Sequence, residues 1–223
     1  MARNARVDVG NEIYHVLNRA VGRAKIFTKP ADYRIFEDIL REATDCVDMR
    51  ILAYAIMPNH WHLVLYPRND GDLGIFMHQL TNAHTRRVHA DTHTTGTGPL
   101  YQGRYKSFLG QDDAHFLTLV KYVERNPVRA LLARKCEEWQ WGSAWRRAHG
   151  SPEQQSLLSE SPVPFPKNYR EWINTPEKEV ALIAMRDSVR KGKPFGGDIW
   201  VEKMINKYKL ESTLRNPGRP SKN

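Results

Sequence analysis

A two-residue turn between two apolar strands constrains the fold of this chain more than any other feature. "MRILAYAIM", from Met49 to Met57, is rich in apolar residues, and the segment from His60 to Tyr66 reads as a strand that returns. Between them stands only Pro58-Asn59, a pair typical of turns. So short a link predicts an antiparallel hairpin.

The elements around this hairpin complete a recognisable order. "NEIYHVLNR" predicts a first strand, "KPADYRIFEDILREATDC" a first helix, the segment from Asp72 to about His89 a second helix, and "YQGRYKSFLG" a fourth strand. The order β-α-β-β-α-β is that of the ferredoxin-like split βαβ unit. We therefore expect an α+β fold, with a ferredoxin-like antiparallel sheet, helices on one side of it, and a C-terminal helical and basic extension.

A third helix follows this unit. Asp112-Asp113 opens it, and an apolar stripe runs along it through Phe116, Leu119, Val120 and Val123. Asn126-Pro127 should end or kink the helix, because the proline ring prevents normal continuation.

The charge balance points to a polyanionic partner. Lys and Arg number 34 against 25 Asp and Glu, giving a formal charge of +9 in 223 residues. Residues 186–223 hold ten Lys or Arg and four Asp or Glu, so +6 of the +9 lies there. Nucleic acid is the commonest such partner, although an ordinary basic protein has the same composition.

Other features predict a protein of the reducing cytoplasm. No apolar run approaches the roughly 20 residues of a membrane-spanning helix. The N-terminal residues lack the apolar stretch of a secretory signal. Cys46 and Cys136 are the two cysteines, too few for a disulfide framework and not spaced as zinc ligands.

The return strand of the hairpin carries two histidines with a tryptophan between them. Because strand side chains alternate, His60 and His62 share one face, while Trp61 and the leucines that follow point to the other. Imidazoles bind divalent metals, so the pair makes half of a metal site. A solvent-facing or hydrogen-bonded pair fits the same pattern.

The third helix offers a partner for this face in "KYVERNP". Tyr122 and Asn126 are four residues apart, hence one turn apart on one helix face. A carboxamide oxygen can complete a metal site with two histidines, and a tyrosine beside that metal can act as a nucleophile. Packing plus a helix cap is the alternative interpretation of the same two residues.

Four segments resemble one family. "MPNHWHLVLYP" resembles the histidine-hydrophobe-histidine motif of the HUH single-strand endonucleases. "YHVLNRAVGRAKIF", "YQGRYKSFLG" and "YVERNPVRALL", in that order, resemble the single-tyrosine transposases, most closely the REP-associated tyrosine transposases that act on repetitive extragenic palindromes. The likeness spans about Tyr14 to Ala148. Trp61 departs from the usual aliphatic between the histidines, and Tyr101 stands where a tryptophan is common.

The resemblance implies a reaction and its residues. His60 and His62 would bind Mg²⁺ or Mn²⁺ with Asn126 as third ligand, and Tyr122 would attack single-stranded DNA at a palindromic hairpin to form a 5′-phosphotyrosine. No nucleotide cofactor is expected, since the chain has no Walker-type loop. A catalytically silent hairpin-binding protein and a metal-dependent hydrolase without a covalent intermediate remain alternatives.

Candidate DNA contacts are polar or basic residues near the first strand, on the second helix, on the fourth strand and after Pro127: Asn18, Arg19, Arg23, Gln79, Asn82, Arg86, Arg87, Arg104, Lys106 and Arg129. Tyr101 and Tyr105 are interleaved with the basic residues of the fourth strand and could stack on bases. The four histidines of the second helix region, from His78 to His93, do not share one helix face and favour a solvated or DNA-facing surface.

The resemblance also suggests a domain plan. We expect a single-tyrosine catalytic domain over residues 1–133, a trailing segment and linker packed on it over 134–165, and a basic DNA-binding extension over 166–223. The expected partner is hairpin or single-stranded DNA and not a membrane, and the expected state is a monomer with a dimer as the alternative. Such a protein would be cytoplasmic, bacterial and associated with the nucleoid.

Overall fold

A computed structural model of the chain describes residues 6–215, so the basic end "GRPSKN" lies outside the described residues. The strands of that range are β1 (Ile13–Arg19), β2 (Arg50–Met57), β3 (His60–Tyr66) and β4 (Lys106–Gly110). Its helices are α1 (Pro30–Cys46), α2 (Asp72–Asp91), α3 (Ala114–Glu124), α4 (Asn126–Arg129), α5 (Ser143–His149), α6 (Pro152–Gln155), α7 (Tyr169–Asn174), α8 (Glu179–Lys191) and α9 (Asp198–Tyr208). None of these helices is long and apolar enough to cross a membrane.

The four strands form one antiparallel sheet in the order β2-β3-β1-β4. β3 is inserted between β1 and β2, which is the arrangement of the split βαβ unit. The predicted hairpin joins β2 to β3 and pairs Met57 with His60. The ferredoxin-like antiparallel sheet expected from the element order is therefore confirmed.

One face of the sheet forms the larger core. Trp61, Leu63 and Leu65 of β3 are fully buried there, together with Phe36 of α1 and Phe76 of α2. The alternation read from β3 thus sends its apolar residues beneath the first two helices, as expected from the period of a strand.

The opposite face carries a second core beneath α3 and α8. The predicted stripe of α3 is fully buried in it: Phe116, Leu119, Val120 and Val123. Ala53 and Ala55 of β2 lie under this helix, and their small side chains leave room for it near the sheet.

The expectation of helices on one side holds for α1 and α2 but is wrong for the chain as a whole. α3 and α8 cover the other face, because that face is also apolar through Val64 and Phe108. An apolar sheet face must be buried against another element, so this sheet requires a helical layer on each side.

The segments after α4 return to the sheet. The backbone carbonyl of Trp141 accepts a hydrogen bond of 2.9 Å from the amide of Ile56, at the end of β2. Phe195, after α8, exchanges backbone hydrogen bonds of 2.8 and 2.9 Å with Leu109 and Gln111, at the end of β4. α8 buries Met185 completely in the second core, so this part of the basic extension packs against the sheet.

A buried carboxylate at the end of α3 ties this helix to the later segments. The side chain of Glu124 has no exposed surface. It accepts hydrogen bonds from the hydroxyl of Ser143 at 2.5 Å, from the hydroxyl of Tyr169 and from the guanidinium of Arg147. Arg147 also donates to the backbone carbonyl of Leu52 in β2. The carboxylate therefore holds α3, α5 and α7 to one strand.

We expect Glu124→Ala to lower the free energy of unfolding by about 3–5 kcal/mol, because it leaves a largely buried arginine without its counter-charge. Glu124→Gln keeps a hydrogen-bond acceptor and should lose less. Urea unfolding followed by circular dichroism measures both. Equal stability of Glu124→Ala and the wild type would contradict the structural role of this carboxylate.

Candidate active site

His60 and His62 lie side by side on the sheet face that α3 covers. Their ring centroids are 5.1 Å apart. His60 is half-buried, and its Nδ1 lies 2.6 Å from the Oδ1 of Asn59 in the turn before it. Because that oxygen can only accept, Nδ1 of His60 carries the proton and Nε2 keeps its lone pair. The ring is thus held in the form that can bind a metal through Nε2.

A third histidine, from β1, completes this group. Nε2 of the fully buried His15 lies 2.9 Å from Nδ1 of His62, and the two rings stack with centroids 5.0 Å apart. The Nδ1 of His15 is buried and has no hydrogen-bond partner among residues 6–215. If Nε2 of His15 accepts a hydrogen bond from the Nδ1–H of His62, the Nε2 lone pair of His62 is free for a metal.

Because the pKa values of His15, His60 and His62 are lowered, all three imidazoles are neutral at neutral pH. Burial lowers the pKa of His15 to about 3. Burial, with a smaller contribution from the positive charge of Arg19, lowers the pKa of His60 to about 4. The pKa of His62 is lowered well below its ordinary value, again mainly by burial. Neutral imidazole is the form that ligates metals.

Two histidines alone do not make a complete metal site. Within residues 6–215, no group of three or more His, Cys, Asp or Glu side chains is placed so that it could hold a metal ion. The two Nε2 atoms therefore fit a divalent cation only with further ligands of another kind, such as a carboxamide oxygen, water or a phosphate oxygen of DNA.

Tyr122 of α3 lies against this group. Its ring centroid is 6.2 Å from those of His62 and His15, with the rings nearly perpendicular. The side chain is buried apart from 8% of its surface, and no residue of 6–215 forms a hydrogen bond with its hydroxyl. Burial raises the pKa of Tyr122, and the positive charges of Arg129, Arg186 and Arg19 offset part of that rise.

Arg129 holds the Tyr122 ring in place. Its guanidinium lies 4.3 Å from the centre of the ring and donates to the backbone carbonyl of Tyr122. It also forms an ion pair with the buried carboxylate of Glu177, to which Arg125 pairs at 2.7 Å. Arg129, a predicted DNA contact, is thus already engaged by these partners and acts on the tyrosine directly.

Asn126 stands at the junction of α3 and α4. Its Nδ2 donates to the backbone carbonyls of Tyr122 at 3.1 Å and Val123 at 3.3 Å. These hydrogen bonds agree with the alternative interpretation, in which Asn126 caps the end of α3. The side-chain atom that could still coordinate a cation is Oδ1. None of the hydrogen bonds within residues 6–215 joins Asn126 to His60 or His62.

A cavity of about 400 Å³ opens beside Tyr122. Its charged lining residues are all cations: Arg19, Arg104, Lys106, Arg186 and Arg190. Arg19 pairs across the sheet with His60, and its Nε is buried without a hydrogen-bond partner in the described part of the chain. The histidines, the tyrosine and this basic cavity therefore form one candidate active site.

The other predicted DNA contacts lie outside this cavity or are engaged elsewhere. The exposed residues of α2 stand on the helix layer that covers the opposite face of the sheet, and Arg87 there pairs with Asp91: Gln79, Asn82, Arg86 and Arg87. Asn18 borders the cavity but is buried and donates to the carbonyl of Gly103 at 3.2 Å. Arg23 is exposed after the end of β1.

The two departures from the family pattern contact each other. The indole nitrogen of Trp61 donates to the hydroxyl of Tyr101 at 3.0 Å, and that hydroxyl lies 2.6 Å from Nδ1 of His84. All three side chains are buried, so Tyr101 is not available for base stacking and His84 is not on a solvated or DNA-facing surface. Both expectations were wrong because the polar atoms of these residues satisfy one another inside the larger core.

The sequence matches the family model described as IS200-like transposase over residues 8–126, which is 119 of its 223 residues. The chain belongs to the IS200-like transposase family. This confirms the predicted resemblance to the single-tyrosine transposases, and membership implies an enzyme that cleaves DNA.

Two solved structures are similar to this chain. A REP-associated tyrosine transposase bound to a REP hairpin is similar with a TM-score of 0.56 at 16% identity, over 74% of this chain and 95% of that chain. A presumed transposase from Deinococcus radiodurans R1 is 21% identical over 56% of this chain and 97% of that one, with a TM-score of 0.39. A comparison with curated proteins gives no match.

We expect Tyr101→Phe to destabilise this transposase by about 1–3 kcal/mol, since it leaves the indole nitrogen of Trp61 and Nδ1 of His84 unpaired in the core. Its affinity for single-stranded DNA should equal that of the wild type. Thermal unfolding and fluorescence anisotropy with a labelled oligonucleotide measure the two quantities. A loss of affinity for DNA with unchanged stability would show instead that Tyr101 contacts DNA.

Proposed function

We propose that this IS200-like transposase is a metal-dependent endonuclease and strand transferase that acts on single-stranded DNA at palindromic hairpins of the REP type. The position of Tyr122 carries the proposal: its ring adjoins His62, its hydroxyl has no hydrogen-bond partner in residues 6–215, and it borders a cavity lined by cations. The structural neighbour bound to a REP hairpin supports the choice of substrate.

His60 and His62 would hold the cation through their Nε2 atoms, with Asn126 as the candidate third ligand through its Oδ1. A bound Mg²⁺ or Mn²⁺ supplies neutralisation and orientation of the scissile phosphate. Imidazole ligands suit Mn²⁺ better than Mg²⁺, which prefers oxygen and retains its waters. Mn²⁺ is therefore the cation with which the proposal is best tested.

Tyr122 would act as the nucleophile. Its phenolic oxygen forms a bond to phosphorus, and the bond from phosphorus to the 3′ oxygen of the neighbouring nucleotide breaks. The phenol loses its proton to solvent and the departing 3′ oxygen takes one up, so the products are a 5′-phosphotyrosine and a 3′-hydroxyl. Arg129 over the ring and the nearby Arg19 and Arg186 favour the phenolate against the effect of burial. The phosphodiester energy is retained, so a 3′-hydroxyl can reverse the step and join strands.

We infer that one chain forms this site. His62 and Tyr122 of one chain lie at a ring separation of 6.2 Å, so exchange of α3 between subunits is not needed to bring them together. This supports the monomer as the active state. Two other functions, a silent hairpin-binding protein and a hydrolase with a water nucleophile, predict different products in the experiment below.

We expect the wild type to form a covalent adduct with a single-stranded hairpin oligonucleotide in Mn²⁺, and Tyr122→Phe to form none. Phenylalanine keeps the ring beside Arg129, so the fold should be retained. Tyr66→Phe, on a half-buried tyrosine at the far end of β3, is the matched control and should still form the adduct. A denaturing gel reads the adduct as a shifted protein band, and EDTA should abolish it.

Persistence of the adduct in Tyr122→Phe would reject this nucleophile. Cleavage by the wild type without a shifted band would favour the hydrolase, and intact DNA would favour the binding protein.

We expect His15→Phe to weaken Mn²⁺ binding about 10- to 100-fold, the usual effect of removing a hydrogen bond that orients a ligating histidine. His15→Gln retains a hydrogen-bond acceptor and should bind Mn²⁺ more tightly than His15→Phe. Isothermal titration calorimetry of each variant with Mn²⁺, without DNA, gives the affinities. Equal affinity of His15→Phe and the wild type would show that His15 does not orient His62.

A further inference from the structure

The cavity beside Tyr122 continues into a longer groove. A second cavity of about 500 Å³ shares Gly103, Arg104, Lys106 and Arg190 with the first, so the two adjoin. β4 and the residues just before it form one wall, and the C-terminal turns of α8 form the other. We call this surface the β4–α8 groove, lined by Arg19, Arg104, Tyr105, Lys106, Tyr122, Arg186, Arg190 and Lys191.

The groove carries charge of one sign. No Asp or Glu of residues 6–215 lines either cavity. Asp187, the nearest acid on α8, pairs with Lys191 at 3.1 Å and with Arg190 at 2.8 Å. Arg186 has no ion-pair partner within residues 6–215 and acts electrostatically on both Tyr122 and Arg129. It is thus an exposed, uncompensated cation at the end of the groove that holds the tyrosine.

α8 is fixed in this position by its buried side. Met185 is fully buried in the core under α3, and Ser188 is also buried. Arg186, adjacent to Met185 in the helix, is therefore presented to the cavity by a packed element. α8 lies outside residues 8–126, the part of the chain that matches the family model.

We propose that α8 completes the substrate site, and that the β4–α8 groove binds the single strand next to the hairpin, with Arg186 contacting a phosphate near the scissile bond. This inference rests on the proposed function. The cations of the groove suit a single strand, because its phosphates can pair with them. The ring of Tyr105 is already covered on one face by the guanidinium of Arg6, 4.1 Å from the ring centroid.

The experiment measures binding rather than cleavage, in EDTA and in a Tyr122→Phe background. The probes are a labelled oligodeoxythymidylate of about 12 nucleotides and a blunt hairpin without a single-stranded extension. Arg186→Gln is compared with Arg34→Gln, which removes the same charge from an exposed position of α1 on the opposite side of the sheet. Arg186→Lys keeps the charge and tests whether charge alone is required.

We expect Arg186→Gln to bind the oligodeoxythymidylate about fivefold more weakly and to lower the slope of log affinity against log salt by about 0.7, the value for one phosphate contact with a single strand. Arg34→Gln should match the Tyr122→Phe parent, Arg186→Lys should recover most of the affinity, and the blunt hairpin should bind all variants equally.

Three results would overturn the inference: unchanged affinity of Arg186→Gln, equal losses in Arg186→Gln and Arg34→Gln, or an equal loss for the blunt hairpin. Circular dichroism confirms that each variant is folded, and Arg186→Lys provides a second readout if Arg186→Gln is unstable. Because no step requires cleavage, these results hold whether or not the wild type forms the phosphotyrosine. If only the adduct is absent, the proposed reaction is rejected, and the inference that the β4–α8 groove binds a single strand is unaffected.

Discussion

The buried carboxylate of Glu124 determines where the candidate active site can form. A charge without exposed surface is stable only when it is paired and hydrogen-bonded, and here an arginine pairs with it while a serine and a tyrosine donate hydrogen bonds to it. Glu124 is two residues after Tyr122 in α3, so the same contacts that hold the end of the helix against β2 also fix the tyrosine above His62. Arg129 and Glu177 then hold its ring and backbone from the other side.

The polar side chains of β3 form two groups, one on each face of the sheet. Trp61 enters the larger core and is satisfied there by Tyr101 and His84, so this arrangement is closed and serves stability. His60 and His62 project to the other face, where their Nδ1 atoms have hydrogen-bond partners and their Nε2 atoms have none among residues 6–215. The period of the strand therefore places a structural group and the candidate metal-binding pair on opposite sides of one backbone.

The parts of this structure that follow from local patterns could be predicted from the sequence. The hairpin, the order of the elements and the buried stripe of α3 depend on neighbouring residues, and the family resemblance correctly indicated a single-tyrosine transposase. His15 could not be recognised, because its partner His62 is 47 residues away and a lone histidine in an apolar strand has no distinguishing spacing. The buried position of His84 could not be recognised either, because it depends on Tyr101, which lies 17 residues later in the chain, just before β4. Such contacts depend on strand register and helix placement, which local periodicity does not determine.

The net charge of the chain does not show which of its arginines are free to bind a phosphate, because the arginines belong to two groups. Arg125, Arg129, Arg146 and Arg147 pair with buried or largely buried carboxylates, and their positive charge is used to hold the fold together. The cations around Tyr122 have no acid among the residues that line their cavity. Of these cations, Arg190 pairs with Asp187, whereas Arg19, Arg104, Lys106 and Arg186 form no ion pair within residues 6–215. The cations left to bind a phosphate therefore lie on β1, next to or on β4, and on α8. The extension contributes to the candidate site because α8 packs beside the cavity that Tyr122 lines. The amino-acid composition of the extension does not reveal this position.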